Sequence, residues 1–231
     1  MKLAISIAMD SERAQIKALL EDALSAEIGS VQGIRGRLGH ADVLLIESGI
    51  GKVNAAIAAT EILRGWQPDA IVSTGVAGGI APGLSVMDVV VGTETFYHDV
   101  WCGEPNLPGQ VQGLPVRFPA DPSLLASVRM LAAEGAPYRF GPIATGDRFI
   151  TSRTEQEALH TAFPDALAVD MESAALAQAC FRFGIPFLSF RILSDTPGAT
   201  ENHAAQYADF WSTLAEKSFQ STRRILERLS A

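Results

Sequence analysis

The run from Pro186 to Asp195, Pro-Phe-Leu-Ser-Phe-Arg-Ile-Leu-Ser-Asp, restricts the fold more than any other stretch of this 231-residue chain. It is apolar on both alternating faces, so as a strand it has no side for water and belongs inside a sheet covered on both sides. Ser194 and Asp195 then lie at its C-terminal end, the edge at which open α/β sheets bind ligands. A second strand-like run, residues 166–169, leads through Asp170 and Met171 to Glu172, which opens an alanine-rich helical stretch beginning at Ser173. The two junctions allow Glu172 and Asp195 to face one cleft. Each acid also has an ordinary structural reading. An Asp after a strand is often a turn former or helix cap, and a Glu in a first helical turn is favoured by the helix dipole.

The remainder of the chain repeats the alternation. Apolar runs at 2–8, 69–74, 88–97 and 138–144 read as strands, and residues 29–39 with 41–47 read as a β-hairpin. Helical periodicity follows at Ile16, Leu19, Leu20, Ala23 and Leu24, and again over 55–66, 123–133, 151–160 and about 204–229. The last of these carries Tyr207, Phe210 and Trp211, which read first as core or interface residues. This pattern predicts an α/β fold. No linker-like composition, internal repeat or low-complexity tract divides the sequence, so one domain over residues 1–231 is expected, with 100–121 its most irregular interval.

Composition narrows the partners. A formal net charge of −8 disfavours nucleic acid and anionic membrane surfaces, which are held mainly by Lys and Arg. No apolar run approaches the ~20 residues of a membrane span, and the N-terminal run is interrupted by Asp10 and Glu12, too soon for a signal peptide. A soluble, cytoplasmic protein is the expectation. Two cysteines, Cys102 and Cys180, make no C-x-x-C pair, and the four histidines, His40, His98, His160 and His203, have no helical metal-ligand spacing. Neither a disulfide framework nor a metal centre is expected.

Several motifs invite chemistry and need testing against their spacing. Gly51-Lys52 suggests a phosphate-binding P-loop, but Ile46 stands where its first Gly is required and Val53 where Ser or Thr must follow the Lys. Residues 75–79, Gly-Val-Ala-Gly-Gly, read as a turn that lets backbone N–H groups approach a ligand, although the dinucleotide spacing is absent. Glu12 falls in a strand-to-helix loop on the same kind of sheet edge as Asp195, with a helix N-terminal acid as its plain reading. His98 reads as a strand-end histidine bonded to Asp99. Phe149 either packs in the core or stacks on a planar base. Residues 196–200 read as a mobile loop beside Asp195.

Seven segments in order, Ala8-Met9-Asp10-Ser11-Glu12, Ser48-Gly49-Ile50-Gly51-Lys52-Val53, Thr74-Gly75-Val76-Ala77-Gly78-Gly79, Tyr97-His98-Asp99, Gly146-Asp147-Arg148-Phe149-Ile150, Val169-Asp170-Met171-Glu172 and Arg191 to Asp195, together resemble the 5′-methylthioadenosine/S-adenosylhomocysteine nucleosidases of the purine nucleoside and uridine phosphorylase superfamily. The resemblance implies a three-layer fold with a central mixed, twisted sheet flanked by helices, a homodimer, and a small-molecule nucleoside substrate without metal or organic cofactor. It implies hydrolysis of the N-glycosidic bond of a 5′-substituted adenosine. Asp195, supported by Ser194, would be the general acid at N7 of adenine, a role that needs a carboxyl group protonated near neutral pH. Glu12 would activate water with Arg191 nearby, Glu172 and the Met171 backbone would hold the ribose hydroxyls, and Asp170 would be among the substrate-binding residues. Phe149 and the Ile150 backbone would hold adenine, Met9 and Ile50 would line the ribose pocket, and Val76, Ala77 and Gly78 would border the site.

The acidic loop of Asp10 and Glu12 favours water over phosphate as nucleophile, because it repels a phosphate anion. Val76 stands where many relatives have Ser, Asp170 where the usual motif has Glu, and residues 100–113, which in the family help to form the 5′-substituent pocket across a dimer interface, are atypical here. Hydrolysis of another nucleoside such as futalosine, a phosphate-dependent phosphorylase reaction, and a catalytically silent nucleoside-binding protein are the rival readings.

Overall fold

The computed structural model describes residues 1–196, 210 and 215–231. In chain order its elements are β1 (Lys2–Ile7), α1 (Asp10–Lys17), β2 (Glu21–Ile28), β3 (Val31–Leu38), β4 (Ala41–Glu47) and α2 (Lys52–Gly65). Then come β5 (Ala70–Ser73), β6 (Val76–Gly79), β7 (Val89–Tyr97), β8 (Phe118–Pro119), α3 (Pro122–Ala133) and β9 (Tyr138–Thr145). The chain continues through α4 (Arg153–Ala162), β10 (Ala168–Asp170), α5 (Ser173–Phe183) and β11 (Phe187–Asp195) to α6 (Ala215–Leu229).

Strand order in the mixed sheet is β2-β3-β4-β1-β5-β11-β6-β10-β9-β7-β8, with β11 also paired to β7. Strand β11 is therefore the hinge of the whole sheet. Its first half, Phe187 to Ser189, runs parallel to β5, while Phe190 to Ile192 pairs antiparallel with β7 and Ile192 to Asp195 parallel with β6. The pairs β11–β6–β10–β9–β7–β11 close a ring of five strands. Every residue of β11 is buried, as its apolarity on both faces requires.

Alternation along the strands builds the two faces. On β1, Leu3, Ile5 and Ile7 point into a core shared with Ile16 of α1, Leu124, Val128 and Leu131 of α3, and Ile225 and Leu226 of α6. Ala4 points the other way, into a core filled by Ala55, Ala58, Ala59 and Ile62 of α2 and Leu176 and Cys180 of α5. The small alanines of α2 and α5 let these two helices lie close against the sheet. Helices thus cover both faces, giving the three layers expected, and full burial of a side chain such as Phe190 is worth roughly 1.5–3 kcal/mol. Among the described residues no helix is long and apolar enough to cross a membrane.

Local sequence misleads at several points. The helical period through Leu24 breaks at Lys17. Residues 21–28 are instead a strand pairing antiparallel with β3, and Leu24 is left 71% exposed. Cross-strand pairing to β3 overrides the local period there. The glycine-rich run at 75–79 is a strand over Val76–Gly79 rather than a turn, held between β11 and β10. His98 donates no hydrogen bond to Asp99; its Nε2 is buried without a partner among the described residues, while Asp99 accepts from Lys52 and from the Asp147 amide. Of the helix expected over about 204–229, the structure describes Ala215–Leu229, with Phe210 buried; Tyr207, Trp211 and the loop expected at 197–200 lie outside the described residues.

Candidate active site

The ends of β1, β9, β10 and β11, strand β6 and the starts of α1, α2 and α5 converge on one cleft of about 310 Å³. All fourteen residues singled out in the sequence border it: Met9 and Glu12 after β1, Ile50 before α2, Val76, Ala77 and Gly78 on β6, and Phe149 and Ile150 after β9. Asp170, Met171 and Glu172 come from the β10–α5 junction, and Arg191, Ser194 and Asp195 from β11. Ala8, Thr74, Gly75, Arg148 and Val169 complete the wall and were not anticipated. The signal for Gly75 lay in its type: its φ is +149°, and a Cβ there would stand 2.8 Å from Oε1 of Glu12. Only glycine lets β5 turn into β6 so close to that carboxylate.

Consecutive residues of a strand normally point to opposite faces, yet Ser194 and Asp195 both reach the cleft. The pairing of β11 with β6 slips between Leu193 and Asp195, and such a bulge re-aims side chains. Ser194 Oγ donates to Asp195 Oδ1 at 2.7 Å, and Asp195 is 1% exposed. The hydroxyl fixes the carboxyl rotamer beneath the cleft.

Glu12 lies within the first turn of α1, not in a loop before it. Burial pushes its carboxyl up to about 7 from 4.5; Arg191 opposes the shift, and Glu172 adds to it. Glu172 stands at the N-cap position of α5 but makes no side-chain cap to that helix; its Oε1 accepts the Gly51 N–H at 2.9 Å. It too is raised to about 7, first by burial and then by Asp170, against the pull of Arg191 and of the backbone donors at Gly51 and Met171.

Arg191, 2% exposed, is the cation beneath this group, and its charge is already engaged. Nε donates to Asp170 Oδ2 at 2.9 Å, an Nη2 hydrogen goes to Ser73 Oγ at 2.8 Å, and Nη1 donates to the Phe190 carbonyl at 3.1 Å. Asp170 in turn accepts from Thr145 Oγ1 at 2.6 Å, from the Ser173 amide at 3.3 Å and from the Ser173 hydroxyl. Asp170 thus borders the cleft while its oxygens are spent on structure. With Arg191 committed to Asp170, Glu12 and Glu172 have no cation of their own among the described residues, and burial is the largest influence on both.

At the mouth, Phe149 is 48% exposed, and Ile50 is also an exposed apolar side chain. An open aromatic face beside buried carboxyl groups suits a planar heterocycle with polar edges, and the core reading of Phe149 is excluded by its exposure. Among the described residues no cluster of His, Cys, Asp or Glu is arranged to hold a metal ion.

The model of the phosphorylase superfamily matches residues 2–227. A 5′-methylthioadenosine/S-adenosylhomocysteine nucleosidase of Geobacillus thermodenitrificans (strain NG80-2) is 39% identical over 221 residues, 94% of this chain and 93% of that protein. The crystal structure of such a nucleosidase from Neisseria meningitidis, in complex with methylthio-immucillin-A, superposes with a TM-score of 0.91 at 36% identity, covering 98% of both chains. Another from Colwellia psychrerythraea 34H, in complex with adenine, gives a TM-score of 0.90 at 35% identity over 99% of this chain and 96% of that one. Similarity of this extent, in sequence and in fold, means that the chain belongs to the 5′-methylthioadenosine/S-adenosylhomocysteine nucleosidase family of the phosphorylase superfamily.

Proposed function

We propose that the whole chain is a single catalytic domain that hydrolyses the N-glycosidic bond of 5′-substituted adenosines, 5′-methylthioadenosine and S-adenosylhomocysteine among them, to adenine and the ribose derivative. The observation that carries the residue roles is the meeting of Glu12, Glu172 and Asp195 in one cleft whose buried cation, Arg191, is already paired with Asp170. Asp195, held by Ser194, gives a proton to N7, so the base leaves neutral as the bond from C1′ to N9 breaks. Glu172 lies at the ribose and stabilises the positive charge that develops on the sugar. Water attacks C1′ and loses its proton to Glu12, whose position near 7 suits a group that must accept and then release a proton. Phe149 stacks on the base, with the Ile150 backbone at its edge.

Water rather than phosphate fits the charges. Of the two arginines at the cleft, Arg191 is held by Asp170 and Arg148 pairs with Glu155, so neither offers an unpaired guanidinium to a phosphate. The homodimer rests on exposed apolar side chains: Ile50, Val53 and Ile57 lie three and four residues apart at the start of α2, and Trp101 and Leu107 project from the irregular interval. Sedimentation at several concentrations reads that assembly directly.

The reaction is tested by chromatography of products after incubation with methylthioadenosine, S-adenosylhomocysteine, adenosine, inosine and futalosine, each with and without phosphate. Free adenine from the first two without phosphate is the expected result. Strict phosphate dependence would make the protein a phosphorylase, and base release from another nucleoside alone would move the substrate.

A further inference from the structure

Three of the motifs in the sequence have no part in the chemistry above: Gly51-Lys52, which fails as a P-loop, His98-Asp99 at the end of β7, and Gly146-Asp147 at the exit of β9. The fold brings them to one point. Lys52 Nζ donates to both carboxylate oxygens of Asp99, each at 2.7 Å, and lies 3.9 Å from Asp147 Oδ2. The backbone closes the circuit, with the Lys52 N–H donating to Asp147 Oδ1 at 2.7 Å and the Asp147 N–H to Asp99 Oδ2 at 2.9 Å. Both glycines serve this contact. Gly51 has a φ of +94°, and a Cβ there would meet Asp147 Oδ1 at 3.0 Å. A Cβ on Gly146 would overlap the His98 ring and stand 3.0 Å from Asp99 Cγ.

Lys52, Asp99 and Asp147 are not among the residues bordering the cleft, but their chain neighbours are. Ile50 forms one wall, and the Gly51 amide holds Glu172. Arg148, Phe149 and Ile150 follow Asp147 directly and border the cleft as well. We infer that Lys52, Asp99 and Asp147 are positioning residues. They clamp the segment that carries Ile50 and orients Glu172, on the ribose side, to the segment that carries Phe149 and Ile150, on the base side, and so set the width of the cleft.

An exposed ion pair would be too weak for such a task. Here the Lys52 and Asp99 side chains are only 21% and 27% exposed, the lysine bonds both oxygens, and two backbone amides bind the same pair of acids. Four hydrogen bonds spread over three segments resist displacement together more than any one would alone. Positioning matters in proportion to the reach of the chemistry, since a shift of about 1 Å in a bound group can cost on the order of a hundredfold in rate.

The inference rests on the nucleosidase reading, and the test separates the two. In Lys52→Met, amide hydrogen exchange should accelerate both at 49–52 and at 146–150, because release of either segment frees the other. With methylthioadenosine, kcat/KM should fall about tenfold or more, chiefly through KM, and the dissociation constant for adenine should rise in parallel. Lys52→Arg, which can still span Asp99, should restore the values to within about threefold. In a Phe149→Ala background the effect of Lys52→Met should shrink, since the clamp acts through that ring. Asp99→Asn carries the same readouts should Lys52→Met not fold. Exchange that is unchanged, or changed in one segment only, overturns the clamp, and so do effects that simply add in the Phe149→Ala background. A wild-type protein that releases no adenine overturns the nucleosidase reading instead, while the exchange result still decides the clamp.

Discussion

Asp170 and Glu172 stand two residues apart at one strand-to-helix junction, both buried, and their surroundings are opposite in character. Asp170 faces Arg191, the hydroxyls of Thr145 and Ser173 and a backbone amide, so each of its oxygens has a donor. Glu172 has the Gly51 and Met171 backbone donors and, with Arg191 already taken, is driven up to about 7. A buried carboxylate surrounded by donors and a cation holds its charge and the structure around it. One with few donors keeps its proton longer and is available to a ligand. The cleft is built from this difference: its floor at Asp170 and Arg191 is an ion pair, and its wall at Glu172 is a carboxyl group that burial holds nearer neutral.

The sharpest extension of the contrast is Asp195, which shares the burial of Asp170 and accepts a hydrogen bond from the Ser194 hydroxyl. Asp195→Asn keeps the shape and cannot supply the proton that the proposed reaction requires. Turnover should fall by about 10²–10⁴-fold, the range for loss of a general acid, with unfolding little changed, as initial rates of adenine release and urea denaturation will show. Near-normal turnover would remove Asp195 from the chemistry and leave it a second structural acid.

Next in size is the direct comparison. Asp170→Ala strands the buried Arg191, and loss of one partner of a buried pair typically costs about 3–5 kcal/mol. Glu172→Gln retains an acceptor for the Gly51 amide and removes a carboxyl whose charge burial disfavours, so its stability should match or exceed wild type while activity falls. Urea unfolding of the two variants at neutral pH measures both. Equal losses would erase the distinction between floor and wall.

Much of this was legible in the sequence, and the reasons differ from residue to residue. Continuous apolarity places β11 in the sheet interior without any tertiary information, and the acids at its end and at the start of α5 follow from the junctions. The resemblance carried by seven ordered segments supplied the fourteen residues that border the cleft. What stayed hidden was pairing between segments. Nothing local says that Arg191 is bound by Asp170, 21 residues away, or that Lys52 reaches Asp99, 47 residues away. Strand β2 was hidden because its apolar residues fit a helical period, and β6 because glycine is a poor strand former taken alone. The bulge at Ser194 depends on the register with β6, which no single strand reveals.

The smallest effect is the most specific, because its sign depends on which kind of acid Glu12 is. Its carboxyl titrates near 4.5 in the unfolded chain and near 7 in the folded one, so between those values the folded state holds the extra proton. The stability this contributes is fully present below 4.5 and is lost as pH rises through 7. Glu12→Gln cannot titrate and keeps that stability throughout. The variant should match wild type near pH 4.5, gain on it steadily with rising pH, and level off above about 7 with an advantage on the order of 1–3 kcal/mol. Glu172 titrates over the same interval in both proteins; with the neighbouring charge removed it ionises more easily, so the variant's own pH dependence should also flatten. Urea unfolding at pH 5, 6, 7, 8 and 9 reads the difference. A variant less stable than wild type at pH 8 would mean that Glu12 is held as a carboxylate, and the base at the cleft would have to be sought elsewhere.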